Sequence, residues 1–315
     1  MTDVNVSARA PVSFNYRTEL RFYPFFGTLA IVFNLPVILV ILRTKSLRVR
    51  KEFIMIAGIC LVDMLHGINF IFLSIYRLQI IANGDEHITV SPVYCSHRFQ
   101  QNFSILCDQL ISCVVLVNTL DRFLAVFKPI FYHTLSLQST IFALVFVFIQ
   151  GVLLTFLCFL LTQDDGDKKI SILCFPTESS DLVSIKVLQL LRITSVLISV
   201  LLYIPITMQL YRFTKTQNTE LKLRWKQLKK TTITVAFSTS TETIFILIPD
   251  LVLASDLFGL TRFTMLFYNL NIIKCSINPI VCIIRQKEIS EPLGNRLNKM
   301  LRVKRTEVAN TVTVF

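Results

Sequence analysis

The sequence lacks the short motifs that mark common catalytic sites. It contains no GxxxxGK(S/T) phosphate loop, no HExxH or GxSxG motif and no Cys-x-x-Cys pair. The chain therefore has no motif for phosphate binding, zinc-dependent hydrolysis or catalysis by a serine nucleophile. We expect no enzymatic activity. The stretch Met1–Leu20 also lacks an apolar core. We expect no cleavable signal peptide, so that the first span itself acts as the signal anchor.

Long apolar runs dominate the sequence instead. Hydrophobic residues make up 53% of the chain, phenylalanine occurs 26 times and the mean hydropathy is +0.61. A bilayer core needs about 20 apolar residues per helix, and seven runs qualify. They lie at about 23–42, 53–76, 103–120, 139–162, 186–211, 232–254 and 263–284. We predict an all-α membrane protein: a seven-transmembrane-helix bundle in 23–284, an N-terminal segment 1–22, and a basic amphipathic segment and tail 285–315.

Basic residues are concentrated in alternate loops. Of the 32 Lys and Arg residues, 21 lie in 43–51, 122–134, 212–230 and 285–315. This positive-inside distribution places the N-terminus outside and the C-terminus in the cytoplasm. It also explains the net charge of +12 by membrane topology, so we expect a lipid bilayer as partner and no nucleic acid. Asn5, in an Asn-Val-Ser acceptor on the outer side, is a predicted glycosylation site.

The end of the third span carries the most specific pattern in the chain. An Asp121-Arg122 pair follows the apolar run, with Pro129 and Tyr132 seven and ten residues beyond Arg122. This closely resembles the Asp-Arg-Tyr-x-Ala-x-x-x-Pro-Leu-x-Tyr pattern of rhodopsin-like G-protein-coupled receptors, with Phe123 replacing the first tyrosine. The resemblance implies that this end contacts a heterotrimeric G protein. It further implies that Arg122 is the switch and that Asp121 holds it in the inactive state.

Further matches to that family lie on the other spans in the same order. They are Asn34 on the first span, Asp63 on the second, Pro205 on the fifth, Pro249 on the sixth and Asn278-Pro279 on the seventh. Two departures stand out: Cys282 replaces the tyrosine of Asn-Pro-x-x-Tyr, and the only tryptophan, Trp225, lies in a loop. This mixture resembles the nematode serpentine chemoreceptors. It implies a multi-pass protein of the cell membrane, in a sensory cell at the cilium.

The cysteines divide by their position relative to the spans. Only Cys95 and Cys174 fall in outer segments, whereas the other six lie within spans. The oxidising exterior favours a disulfide there. The receptor resemblance implies the same pair, which ties the third span to the second outer loop.

Charged residues inside the spans predict a buried polar network. Its expected members are Asn34, Asp63, Glu242, Lys274, Asn278 and Pro279. A carboxylate at the depth of Asp63 costs about 2.5–3.5 kcal/mol on insertion scales, so it needs a partner. We expect Lys274 to pair with Asp63 or Glu242. The resemblance implies a sodium ion bound at Asp63, and a structural, hydrogen-bonded aspartate is the alternative.

Ligand-binding candidates lie on the outer halves of the spans. They are Ser104, Asp108, Arg192, Asp250, Tyr268 and Asn271. Ser104 stands where aminergic receptors carry their amine-binding aspartate, and Asp108 lies one turn deeper on the same face. Two roles remain open for Asp108: binding of a cation at the pocket floor, or pairing with another buried polar group. The expected ligand is a chemosensory cue or small peptide from outside.

Lys229 occupies the position at which related receptors place an acid that holds the switch arginine. We expect Lys229 and its neighbour Lys230 to repel Arg122 and to bias the sixth helix outward. At about 6 Å and an effective dielectric of about 20, one such pair contributes at most about 2–3 kcal/mol.

A small ion- or proton-coupled transporter is the alternative function. Its path would use the intramembrane charges Asp63, Asp108, Glu242 and Lys274, but the sequence shows no internal repeats, and seven spans do not divide into halves. A retinal-binding opsin is disfavoured because Ile272 occupies the lysine position. The C-terminal residues 313–315 resemble a PDZ ligand, a match that three residues make easily.

Overall fold

The computed structural model describes residues 15–164, 166, 168–175, 179–215, 219–255 and 264–295. Seven helices in these ranges are long and apolar enough to cross a membrane. They are α1 Asn15–Arg43, α2 Lys51–Asn83, α3 Phe99–Phe127, α4 Leu137–Thr162, α5 Leu182–Lys215, α6 in two parts, Thr219–Glu242 and Ile248–Ser255, and α7 Thr264–Arg285. The predicted all-α, seven-helix membrane fold is confirmed.

The helices are longer than the apolar runs that predicted them. α3 extends beyond the predicted 103–120 at both ends, and α6 begins at Thr219 rather than near 232. Hydropathy detects only the part of a helix that crosses the bilayer, whereas the backbone hydrogen bonds continue into the polar turns beyond it. α2 ends at an Asn-Gly pair, where Gly84 adopts a left-handed φ of 79° and its N–H caps the helix.

One end of the bundle, called here the hairpin end, is closed by two short strands and a disulfide. Strand β1 (Thr89–Val90) pairs antiparallel with β2 (Ile170–Ser171). The predicted disulfide between Cys95 and Cys174 is confirmed, with Cα atoms 5.5 Å apart. It ties the segment that enters α3 to the segment between α4 and α5.

Arg77 of α2 reinforces this closure from inside the bundle. Its side chain is 1% exposed, and its guanidinium donates hydrogen bonds to the carbonyls of Leu173 at 3.0 Å and Cys174 at 3.3 Å. The guanidinium also stacks over the Phe175 ring, 4.5 Å from its centroid. These charge-assisted contacts fix the β2 segment over the helix ends.

α1 and α2 approach closely because small residues face each other. A Cβ atom added at Gly27 would lie 2.6 Å from the carbonyl oxygen of Gly67, and one at Gly67 would lie 2.8 Å from that of Gly27. No larger residue fits at either position without separating the helices. Small residues at such crossings are typical of membrane helices, whose association depends on close packing.

α6 is interrupted by a π-helical turn at Thr243–Leu247. The N–H of Ile248 donates to the carbonyl of Thr243, five residues earlier, where an α-helix would use the carbonyl four residues earlier. Pro249 follows directly. The turn divides α6 into two parts, called here the inner part, Thr219–Glu242, and the outer part, Ile248–Ser255.

The end opposite the hairpin, called here the Arg122 end, carries three further helical segments, the first of which is Lys45–Arg48 between α1 and α2. Pro129–Thr134 follows α3, with Pro129 in its first turn, a position where the missing N–H is harmless. After a break at Gln286, residues 287–295 are helical again, in the predicted basic amphipathic segment. Ile289 anchors this segment, because it is fully buried in the apolar cluster between α1 and α2.

Candidate functional site

A cluster of charged side chains lies in the middle of the bundle. Lys274 of α7, 1% exposed, donates to Asp63 Oδ1 of α2 at 2.9 Å and contacts Glu242 of α6. Both acids are as deeply buried as the lysine. The ion pair expected from the sequence therefore forms with both acids at once, and it joins three helices.

Asn278 completes the coordination of Asp63. Its Nδ2 donates to Asp63 Oδ2 at 2.9 Å, and its Oδ1 accepts a hydrogen bond from Thr241 at 3.1 Å. Asp63 thus has both oxygens occupied, one by the lysine and one by the asparagine amide. The predicted Asn-Pro match on α7 and the Asp on α2 belong to one site.

Asn34 replaces the backbone hydrogen bond that is missing at Pro279 of α7. Pro279 has no N–H to donate to the carbonyl of Cys275, four residues earlier. Asn34 Nδ2 of α1 donates to that carbonyl at 2.9 Å and to its own Ala30 carbonyl at 2.8 Å. The amide therefore satisfies the acceptor that the proline leaves free, which holds α1 against α7.

The predicted sodium ion does not fit this cluster. Lys274 places its ammonium against Asp63, where a bound cation would lie, and Asn278 holds the second oxygen. The chain therefore supplies its own cation. Two carboxylates share one ammonium, and Glu242 Oε2 has no hydrogen-bond partner among the described residues.

A second charged cluster lies nearer the hairpin end. Arg192 of α5 donates to Asp250 Oδ1 of α6 at 2.6 Å, and its other terminal nitrogen lies 3.4 Å from Asp108 Oδ2 of α3. Gln189, one turn from Arg192, donates to the backbone carbonyl of Asp250 at 3.3 Å. The structure thus brings three of the six ligand candidates into direct contact and gives Asp108 a charged partner.

The other ligand candidates line the same half of the bundle. Ser104 and Asn271 are buried, and Asn271 Oδ1 has no hydrogen-bond partner among the described residues. The ring of Tyr268 is half-buried, 6.4 Å from that of Phe70 on α2. Asp250 Oδ2 and Arg192 Nε are likewise buried without a partner in the described part of the chain.

Sequence reasoning missed His66 and Asn69 of α2. Both are 0% exposed, and none of their side-chain nitrogen or oxygen atoms has a hydrogen-bond partner within the described ranges. His66 packs edge-on against the Phe70 ring at 4.7 Å. Their positions one and two turns beyond Asp63, on the face of α2 that enters the bundle, are the signal that would have identified them.

The Arg122 end holds its motif residues in one group. Arg122, 2% exposed, donates to Asp121 Oδ2, through Nε at 3.0 Å, and to the Tyr132 hydroxyl at 3.3 Å. The Tyr132 hydroxyl donates to the same carboxylate oxygen at 3.3 Å. Burial raises the pKa of Tyr132, so the phenol stays neutral and serves as a donor. Lys51 of α2 fixes the segment by donating to the Leu135 carbonyl at 2.9 Å.

Lys229 does not meet Arg122. It is exposed, and no hydrogen bond or ion pair joins it to the described residues. Its neighbour Lys230 points elsewhere and donates to Glu288 Oε2 at 2.9 Å. Adjacent residues of a helix point about 100° apart around its axis, so the two lysines point in different directions. Neither contacts Arg122, and the repulsion expected from the sequence is not seen in this conformation.

α6 is instead attached to the segment after α7. Besides the Lys230–Glu288 pair, Gln286 Nε2 donates to Thr234 Oγ1 of α6 at 3.2 Å. Partial burial alone would raise the pKa of Glu288, but a backbone amide and Lys230 together lower it below its ordinary value. The predicted glycosylation site Asn5 and the C-terminal residues 313–315 lie outside the described residues.

The comparisons with known proteins agree with this geometry. The family model of the serpentine type 7TM GPCR chemoreceptor Srsx matches residues 27–292, which include α1 from Gly27 onward and the whole of α2 to α7. No curated protein matches the chain significantly. The match covers most of the chain and all three polar groups, so the chain belongs to the serpentine 7TM GPCR chemoreceptor family Srsx.

Proposed function

We propose that the chain transmits the binding of an extracellular ligand to a cytoplasmic heterotrimeric G protein through rearrangement of its helices. The family supports a chemosensory receptor of the G-protein-coupled type. The observation that carries the finer proposal is that α6 holds one acid in each buried charge cluster, Asp250 with Arg192 and Glu242 with Lys274. A change at one cluster is therefore communicated to the other along a single helix.

The hairpin end is the proposed ligand side. The concentration of basic residues in the loops of the opposite end supports an extracellular position for the hairpin end. Arg192, Asp108 and Asp250 offer charges of both signs, and His66 and Asn271 add buried polar atoms without partners in the described chain. Buried polar atoms are ordinarily paired, so a site with several unpaired ones suits a polar ligand.

The Arg122 end is the proposed G-protein side. Arg122 is buried against Asp121 and Tyr132, and so its guanidinium is not presented to a partner in this conformation. The Lys230–Glu288 pair holds the inner part of α6 against the segment after α7. We assign the structure to an inactive state, from which outward movement of α6 would release both contacts.

The transporter alternative has no comparable support. Asp63, Glu242 and Lys274 are each at most 1% exposed and engage one another, so these charges do not line an open path in the described residues. Buried charges that are paired in this way usually stabilise a specific arrangement of helices.

A second-messenger screen in cells tests the proposal. The chain is co-expressed with a promiscuous G protein and exposed to soluble odorants and small peptides. We expect at least one compound to raise the second messenger in wild type and none to do so in Arg122→Ala at equal surface expression. Lys169→Ala, at an exposed position on the hairpin end, serves as a charge-removal control. A full response in Arg122→Ala would contradict coupling through this arginine.

A further inference from the structure

The two acids of α6 lie on opposite sides of its π turn. Glu242 immediately precedes Thr243–Leu247 and contacts Lys274, whereas Asp250 follows the turn and accepts a hydrogen bond from Arg192. Eight residues separate the two acids. Both side chains are buried, at 0% and 6% exposure. Glu242 contacts a cation of α7, and Asp250 contacts a cation of α5.

The angle between these two side chains around the helix axis depends on the π turn. In an uninterrupted α-helix, side chains eight residues apart would diverge by about 80° around the axis. A π turn closes its hydrogen-bonded ring around one extra residue, so the eight residues turn about as far as seven and the divergence falls to about 20°. The turn therefore brings Glu242 and Asp250 onto one face.

The local sequence favours an interruption at this place. The ring of Pro249 clashes with the carbonyl four residues earlier, at Phe245, and it supplies no N–H to that turn. On the inner side, Thr239 and Thr243 each donate a side-chain hydrogen bond to a carbonyl four residues earlier, at 3.1 and 2.9 Å. Such bonds compete with the backbone ladder and bend helices.

We propose that the π turn is the register switch of α6, an inference that rests on the proposed receptor function. If Thr243–Leu247 converts to α-helix, only one of the two acids can keep its cation. A ligand that strengthens or breaks the Arg192–Asp250 contact then determines whether Glu242 stays with Lys274. A groove of 340 Å³ lies beside the turn, between α5 and α6.

Matched changes of length test the register. Deletion of Ile244, an exposed residue inside the turn, removes the extra residue and leaves seven in a regular helix, so both ion pairs persist. Insertion of one alanine after Ile244 misaligns the acids. We expect thermal stability of the deletion variant at or above that of wild type and at least about a tenfold loss of folded receptor on insertion, equivalent to about 1.4 kcal/mol. A deletion variant destabilised as much as the insertion variant would overturn the alignment.

A conformational readout tests the switch without ligand or G protein. A trifluoromethyl label on Lys229→Cys, at the exposed inner part of α6, reports the environment of that helix by fluorine NMR. We expect two resonances in the wild-type background, one for each register, and a single resonance after deletion of Ile244. Two unchanged resonances in the deletion variant, or a single one in both, would refute the switch. Because no coupling partner is present, failure of G-protein signalling alone leaves this result intact.

Discussion

Replacing Lys274 by alanine removes the one ammonium that two buried carboxylates share. At the observed 2.9 Å from Asp63, one ion pair has a Coulomb energy of about 6 kcal/mol at an effective dielectric of about 20, before desolvation is subtracted. Truncating one partner of a buried pair typically destabilises by about 3–5 kcal/mol, because the remaining charge is left without compensation. We therefore expect Lys274→Ala to be strongly destabilised.

Thermal unfolding of the purified receptor in detergent measures this effect. About 2–4 °C of melting temperature corresponds to 1 kcal/mol in chains of 150–250 residues, so the melting temperature should fall by about 10 °C. Surface expression should fall with it. The comparison variant Lys274→Met keeps the side-chain volume and should be destabilised nearly as much, because the charge rather than the volume is decisive.

Second-site changes identify the mechanism. Adding Glu242→Gln and Asp63→Asn to Lys274→Met removes the uncompensated charges, and we expect this neutral triple variant to recover most of the loss. Exchange of the two charges by Glu242→Lys with Lys274→Glu should recover part of it. If neither combination melts higher than Lys274→Met alone, the shared ion pair does not stabilise the bundle.

Three further outcomes are expected, two from the described contacts and one from the distribution of basic residues. Because Lys274 supplies the cation at Asp63, the melting temperature of wild type should be equal in sodium chloride and choline chloride. A higher melting temperature in sodium chloride would support a sodium site and contradict this assignment. The pKa of Glu288 is lowered, so its pair with Lys230 stabilises fully above the ordinary glutamate value of about 4.3 and is lost as pH falls through the lowered value. The melting difference between wild type and Glu288→Gln should therefore shrink on acidification, and a constant difference would exclude the pair as its cause. A protease site beside Trp225 should be protected in intact cells, and cleavage from outside would reverse the proposed orientation.

Local patterns in the sequence were sufficient for part of the site. Asp121, Arg122 and Tyr132 lie within twelve residues, on α3 and on the short helix that directly follows it, so their closeness in sequence favours their contact. The disulfide and the Lys274 ion pair were also predictable, because a charge or a thiol in those places has few partners available. The helix bounds were less accurate, since hydropathy marks only the lipid-crossing part.

The remaining features depend on packing between distant segments. Lys230 meets Glu288 rather than Arg122 because residues 287–295 fold back under the bundle, as the burial of Ile289 shows. The sodium ion predicted at Asp63 does not fit, because the ammonium of Lys274, 211 residues away in the sequence, contacts Asp63 Oδ1. The π turn is a change in the backbone hydrogen-bond pattern. Pro249 indicates that the helix is interrupted, but it does not determine how many residues the interruption contains.

The central claim is that ligand binding at the hairpin end activates a G protein at the Arg122 end. The most direct measurement is the rate at which a purified heterotrimeric G protein exchanges GDP for a fluorescent GTP analogue in the presence of the receptor in nanodiscs. With a compound identified in the cellular screen, we expect wild type to accelerate exchange and Arg122→Ala, folded to the same extent, to leave it at the rate of empty nanodiscs. Exchange that the compound does not accelerate with any G-protein class, despite binding to the receptor, would contradict the account.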